Sequence, residues 1–62
     1  MNYLQDQIDK IRNSEDENYI LNCKWRIASA MNLPNLSPFG DLTPDQIIVI
    51  DKIIKNNDQT NT

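Results

Sequence analysis

Cys23 carries the most reactive side chain in the sequence, because a thiolate can act as a nucleophile. Nucleophilic catalysis also requires a positioned base, most often histidine, and the sequence contains no histidine. A single cysteine cannot form an internal disulfide, and its place within an apolar helical pattern is typical of a small buried hydrophobic residue. We therefore expect Cys23 to be structural, with a reactive thiol or an intermolecular bridge as the alternatives.

A second kind of chemistry is suggested by the carboxylates of Ser14-Glu15-Asp16-Glu17, since acidic clusters can bind cations. The run lacks the spacing and the glycine turn of an EF-hand. Ser14 and Glu17 have the spacing of a capping box, in which the serine hydroxyl accepts a hydrogen bond from the amide three residues later. We interpret the run as the start of a helix with Ser14 as its N-cap, and we expect no metal site.

The remaining chemical signals are negative. Loops that cradle phosphates need several glycines, and Gly40 is the only glycine. The net charge of −3 argues against binding to a phosphate backbone, which depends on clustered cations. The four aromatic residues are not interleaved with basic ones, as they would be in a platform for single-stranded nucleic acid. We therefore expect no enzymatic activity, no catalytic residue, no cofactor and no nucleic-acid partner.

Three segments have the spacing of apolar residues that is typical of helices. The sequence predicts an all-α protein, a small three-helix bundle with helices at about 3–13, 15–32 and 44–56. At 62 residues the chain has room for at most one domain, which we assign to residues 1–55. Residues 56–62 contain no apolar side chain and are predicted to be a disordered polar tail.

The first two helices differ in how much of their circumference is apolar. Leu4, Ile8 and Ile11 form one narrow stripe on the first helix. The second helix is apolar on two adjoining sides, so we expect it to be central and to pack against neighbours on both. We place a break between the two helices at Asn13 and Ser14, and one continuous helix through this point is the alternative.

An ordered loop with two prolines is predicted at 33–42, after the second helix. Leu33, Leu36 and Phe39 are too apolar to be left in water together, so we expect them to pack as a lid over the core. Gly40 is the expected site of a positive φ before the third helix. The alternative is that this apolar loop is a binding epitope.

The third helix has the clearest start signal. Thr43 is the expected N-cap, a proline follows at the first helical position, and Gln46 completes a capping box. Leu42 and Ile47 stand at the positions of a hydrophobic staple. The expected buried face consists of Ile47, Ile50, Ile53 and Ile54. The β-branched run that begins at Ile47 would also fit a buried strand, and the cap and the charge spacing favour the helix.

A chain of this size buries only about 60% of its unfolded surface, so we expect self-association or a partner to complete the fold. The predicted function is a small protein–protein interaction module, with a homodimer as one form of the association. Ile48 falls among charged residues on the outer side of the third helix and resembles an interface anchor with a polar rim. The candidate partner interface comprises Ile48, Asp45, Asp51, Lys52, Lys55 and Trp25.

The alternative function is a small helix-turn-helix DNA-binding regulator. Residues 26–33 resemble the first helix and turn of such motifs. The connection that follows is longer than the short turn expected. The next helix also departs from the motif, because side chains that contact bases and phosphates should lie at its start, and this start carries Asp45, Gln46, Ile47 and Ile48.

The cellular setting is inferred from composition and from the chain start. No apolar stretch approaches the roughly 18 residues of a membrane span, and the start lacks a signal-peptide pattern, so we expect a cytoplasmic protein. Asn and Ile, whose codons are AT-rich, are abundant, which is typical of phages and mobile elements. In that setting we predict an accessory protein that binds and modulates, as an inhibitor, a protein in the host cytoplasm.

Overall fold

The computed structural model of the chain describes residues 2–59. Within that range it contains three helices and no strand: α1 at Tyr3–Arg12, α2 at Glu17–Ala30 and α3 at Pro44–Gln59. The prediction of an all-α three-helix bundle is therefore confirmed. The run of β-branched residues in the third segment is helical, so the strand alternative is wrong.

Capping side chains set both ends of α1. The Asn2 side chain accepts a hydrogen bond from the Leu4 amide at 3.0 Å, which satisfies one of the unpaired N–H groups at the start of the helix. At the other end, the Asn13 side-chain amide donates to the Asp9 carbonyl at 2.8 Å. The chain then leaves the helical conformation before α2 begins, so the predicted break is confirmed and one continuous helix is excluded.

The predicted N-cap of α2 is wrong by two residues. Asp16 is the cap, and its carboxylate accepts from the amides of Asn18 at 3.0 Å and Tyr19 at 3.4 Å. The Ser14 hydroxyl accepts from the Asp16 amide instead, at 3.1 Å, and so supports the turn before the helix. A carboxylate is a stronger acceptor than a hydroxyl and also interacts favourably with the positive end of the helix dipole, which explains the choice.

The core is built around one isoleucine from each helix. Ile8 of α1, Ile27 of α2 and Ile50 of α3 are fully buried and belong to one cluster with Ala28. Because α2 packs against both other helices, it is the central element, as predicted. Cys23 is also fully buried, in agreement with a structural role. Half-buried apolar side chains surround the cluster: Leu4, Ile11, Leu33, Leu36, Leu42, Ile53 and Ile54.

Helix α3 continues beyond its predicted end at residue 56. It reaches Gln59, so the first residues of the predicted polar tail are helical. The Asn57 side chain donates a hydrogen bond to the Gln5 side chain on α1, and this contact between helices holds a turn that has no apolar residue. The rest of the predicted tail, residues 60–62, lies outside the described residues.

The predicted capping box at the start of α3 is confirmed. The Thr43 hydroxyl accepts from the Gln46 amide at 3.2 Å, and the Gln46 side-chain oxygen accepts from the Thr43 amide at 2.9 Å. Two amides that the helix cannot satisfy internally are thus paired by these two side chains.

Replacing Thr43 with alanine should therefore lower the free energy of unfolding by about 1 kcal/mol, because one helix amide loses its acceptor. Urea denaturation followed by circular dichroism measures this change. Ser29→Ala is the matched control, since it removes a hydroxyl from an exposed position inside α2 and should change stability by less than about 0.5 kcal/mol. Equal stabilities for the two variants would contradict the role of Thr43.

Candidate interaction surfaces

Helix α2 ends in a Schellman motif, which sends the chain into the loop before α3. The Asn32 amide donates to the Ser29 carbonyl at 3.1 Å, and the Leu33 amide donates to the Ala28 carbonyl at 3.1 Å. Asn32 has a φ of 58°, the left-handed conformation that this motif requires. The helix is therefore stopped by Asn32, before the first proline of the loop.

The loop is held from both neighbouring helices. The Gln46 side-chain nitrogen donates to the carbonyls of Pro34 at 3.1 Å and Asn35 at 3.3 Å. Gln46 is only 8% exposed, so these hydrogen bonds are shielded from water. From α2, the Trp25 indole nitrogen donates to the Ser37 carbonyl at 2.7 Å. Contacts on both sides thus fix the path of the loop up to Ser37.

The prediction that the loop packs as a lid holds for two of its three large apolar residues. Leu33 and Leu36 are half-buried against the core, but Phe39 is 87% exposed. The Ser37 hydroxyl accepts from the Phe39 amide at 3.1 Å, which turns the chain outward, and Gly40 then adopts a φ of 87°. The lid prediction is wrong for Phe39 because local turn geometry, which apolarity does not reveal, directs this side chain into solvent.

We call the surface formed by Trp25, Pro38 and Phe39 the loop surface. Trp25 is half-buried and donates its hydrogen bond to Ser37, the residue before Pro38, while Pro38 and Phe39 are both exposed. The surface therefore combines an indole ring that is bonded to the loop with a largely exposed phenyl ring.

The second surface lies on the side of α3 that faces away from the core. We call it the α3 outer face, and it consists of Asp45, Ile48, Val49, Lys52 and Lys55. Ile48 is 53% exposed and Val49 is 42% exposed, whereas Ile50 is fully buried on the opposite side of the helix. Four of the six predicted interface residues thus lie together on this face, and Val49, which was not among the predicted interface residues, lies beside them.

Two residues of the predicted interface lie elsewhere. The carboxylate of Asp51 forms an ion pair with the Lys24 ammonium of α2 at 3.1 Å, at the junction of the two helices. The pair is partly exposed and contributes little to stability. Trp25 belongs to the loop surface. The structure therefore divides the predicted interface into two surfaces, and Phe39, which was predicted to pack in the lid over the core, belongs to the loop surface.

Within residues 2–59 no enclosed pocket is present, and no group of three or more potential ligands is placed to hold a metal ion. None of the described helices is both long and apolar enough to cross a membrane. Comparison of the chain with family models, curated proteins and solved structures finds no match. The loop surface and the α3 outer face are therefore the candidate functional sites of the described residues.

Replacing Gln46 with glutamate keeps the acceptor for the Thr43 amide but removes the two donors that hold the loop. We expect a loss of about 2 kcal/mol in the free energy of unfolding, because two loop carbonyls lose their partner and face a carboxylate. The fluorescence of Trp25, the only tryptophan, should shift to longer wavelength as the loop loosens. Asn18→Asp makes the same amide-to-acid change at an exposed site in the first turn of α2, where an acid is favourable, so it should neither lower the stability nor shift the emission. An unshifted emission in the Gln46 variant would contradict this role.

Proposed function

We propose that this chain is a small non-enzymatic protein-binding module whose loop surface docks into an apolar pocket of another protein. The observation that carries the proposal is the 87% exposure of Phe39. Covering a phenylalanine side chain contributes about 1.5–3 kcal/mol relative to leaving it in water. Because Phe39 is exposed in the folded chain, this free energy does not stabilise the fold, and it can stabilise a complex in which a partner covers the side chain.

The way the loop is held supports the same proposal. An anchor on a mobile loop loses part of its binding free energy to the ordering of that loop. Here Trp25 and Gln46 hold the backbone before Phe39 through hydrogen bonds at 2.7–3.3 Å. The loop can therefore engage a partner with little further ordering, as expected of an anchor residue at the centre of an interface.

Composition supports a narrower form of the proposal. The abundance of Asn and Ile suits a gene from an AT-rich genome such as that of a phage or mobile element. In that setting we propose an accessory protein that binds a host protein and modulates it as an inhibitor. Occlusion of an apolar pocket by Phe39 would be sufficient for inhibition and would need no chemistry.

A helix-turn-helix DNA-binding regulator has less support from the geometry. The connection between α2 and α3 runs from residue 31 to 43, longer than the short turn of that motif. The Gln46 side chain, near the start of α3, is bonded to the loop and to Thr43. Ile48 and Val49 are exposed on the face that would meet DNA. A titration with duplex DNA at low salt distinguishes the two functions, and binding at micromolar protein would favour the regulator.

The Phe39→Ala variant should bind the partner more weakly while its stability stays close to that of the wild type. Because Phe39 is largely exposed, we expect the free energy of unfolding to change by less than about 0.5 kcal/mol. Affinity for the partner should fall at least about tenfold, the equivalent of 1.4 kcal/mol. Capture of proteins from host-cell lysate on immobilised chain, with quantitative mass spectrometry, identifies the partner, and titration with the purified partner measures the affinity.

Tyr3→Ala is the matched control, since Tyr3 is also an exposed aromatic residue, at 52%, but lies at the start of α1. We expect this variant to capture the same protein as the wild type. The proposal is wrong if Phe39→Ala and Tyr3→Ala capture the same proteins equally well, or if the wild type captures nothing beyond bare resin.

A further inference from the structure

The α3 outer face has its charges in a fixed order along the helix. Asp45 lies at the N-terminal end, Lys52 and Lys55 lie towards the C-terminal end, and the exposed pair Ile48 and Val49 lies between them. Within residues 2–59, neither Asp45 nor Lys52 has an ion-pair partner. The face therefore combines an apolar centre with two opposite charges that the fold does not pair.

The spacing of these residues is symmetric. Asp45 stands three positions before Ile48, and Lys52 stands three positions after Val49. At a rise of 1.5 Å per residue, Asp45 and Lys52 each lie about 5 Å along the axis from the midpoint of the apolar pair. Separations of three, four and seven residues keep all of these side chains on one side of a helix. A surface of this symmetry is complementary to itself.

We propose that the α3 outer face pairs with the same face of a second copy of this chain, in an antiparallel arrangement whose two-fold axis passes between Ile48 and Val49. Ile48 then lies against Ile48 of the second copy on one side of the axis, and Val49 lies against Val49 of the second copy on the other side. Asp45 faces Lys52 of the second copy, and the reverse pair forms at the other end of the contact. A contact with two-fold symmetry uses one patch twice, which is what a self-complementary face requires.

The charge order selects the antiparallel arrangement over the parallel one. Parallel helices in register would place Asp45 against Asp45 and Lys52 against Lys52, and like charges in contact are unfavourable. The antiparallel arrangement also brings the acidic start of one α3 against the half of the other α3 that carries Lys52 and Lys55, and it opposes the two helix dipoles.

The area of the face indicates the class of interface that two copies would form. The accessible surface of the chain is 4530 Å². A face that covers about a tenth of it on each copy buries on the order of 900 Å² in total, below the roughly 1,200 Å² at which stable interfaces begin. An interface of this size is typical of weak, reversible association, so we expect the dimer to form only at high protein concentration. The loop surface shares no residue with the α3 outer face.

Sedimentation equilibrium of the full chain between about 10 µM and 1 mM tests this proposal. For the wild type, the fitted mass should rise with concentration from 7.2 kDa towards twice that value. Asp45→Lys and Lys52→Asp each place like charges across the axis, so each variant alone should lose at least about tenfold in dimer affinity. An equimolar mixture of the two variants pairs opposite charges at both ends and should regain the wild-type affinity.

Two controls separate loss of pairing from other effects. Circular dichroism checks that each variant keeps the wild-type helix content. Arg26→Asp makes the same change in net charge as Lys52→Asp at an exposed position on α2, and it should dimerise like the wild type. The proposal is overturned if the wild type remains at 7.2 kDa up to 1 mM, if Lys52→Asp dimerises as the wild type does, or if the folded variants fail to associate when mixed.

Discussion

The start of α3 and the path of the loop before it both depend on the buried side-chain amide of Gln46. Its oxygen accepts from the Thr43 amide and completes the cap of α3, while its nitrogen donates to the carbonyls of Pro34 and Asn35. One side chain thus sets where the third helix begins and where the preceding loop runs. At 8% exposure these bonds are protected from exchange with water, so the loop that carries Phe39 is held by the same contact that starts the helix.

A chain of 62 residues cannot cover all of its apolar side chains. The fully buried part is small, with Ile8, Ile27 and Ile50 as its largest members. Phe39 and Ile48 remain outside although they are as apolar as the core residues. Since neither is needed to close the core, each is available for contact with another molecule. The fold and the proposed binding function therefore have one physical origin, an apolar surface larger than this chain can bury.

The sequence predicted the parts of the fold that follow from local rules. Periodicity located the helices, and the capping box at Thr43 placed the start of α3, because these signals act within a few residues. The N-cap of α2 is Asp16 and not Ser14. Both residues are able to cap a helix, and their spacing in the sequence does not decide between them. Of the site, the exposure of Ile48 followed from the helical repeat. The exposure of Phe39 and the contact of Trp25 with the loop could not be predicted from this repeat, because both depend on how the loop folds back on α2.

A measurement of loop rigidity in the free protein tests most directly whether Phe39 is presented to a partner in a fixed position. Backbone ¹⁵N relaxation gives an order parameter for the Phe39 amide on the picosecond-to-nanosecond timescale, which can be compared with the amides of α2. A loop held by Gln46 and Trp25 should give a value close to that of a rigid backbone, about 0.85. A value below about 0.6 would show a flexible loop and would contradict the claim that Phe39 is presented in a fixed position.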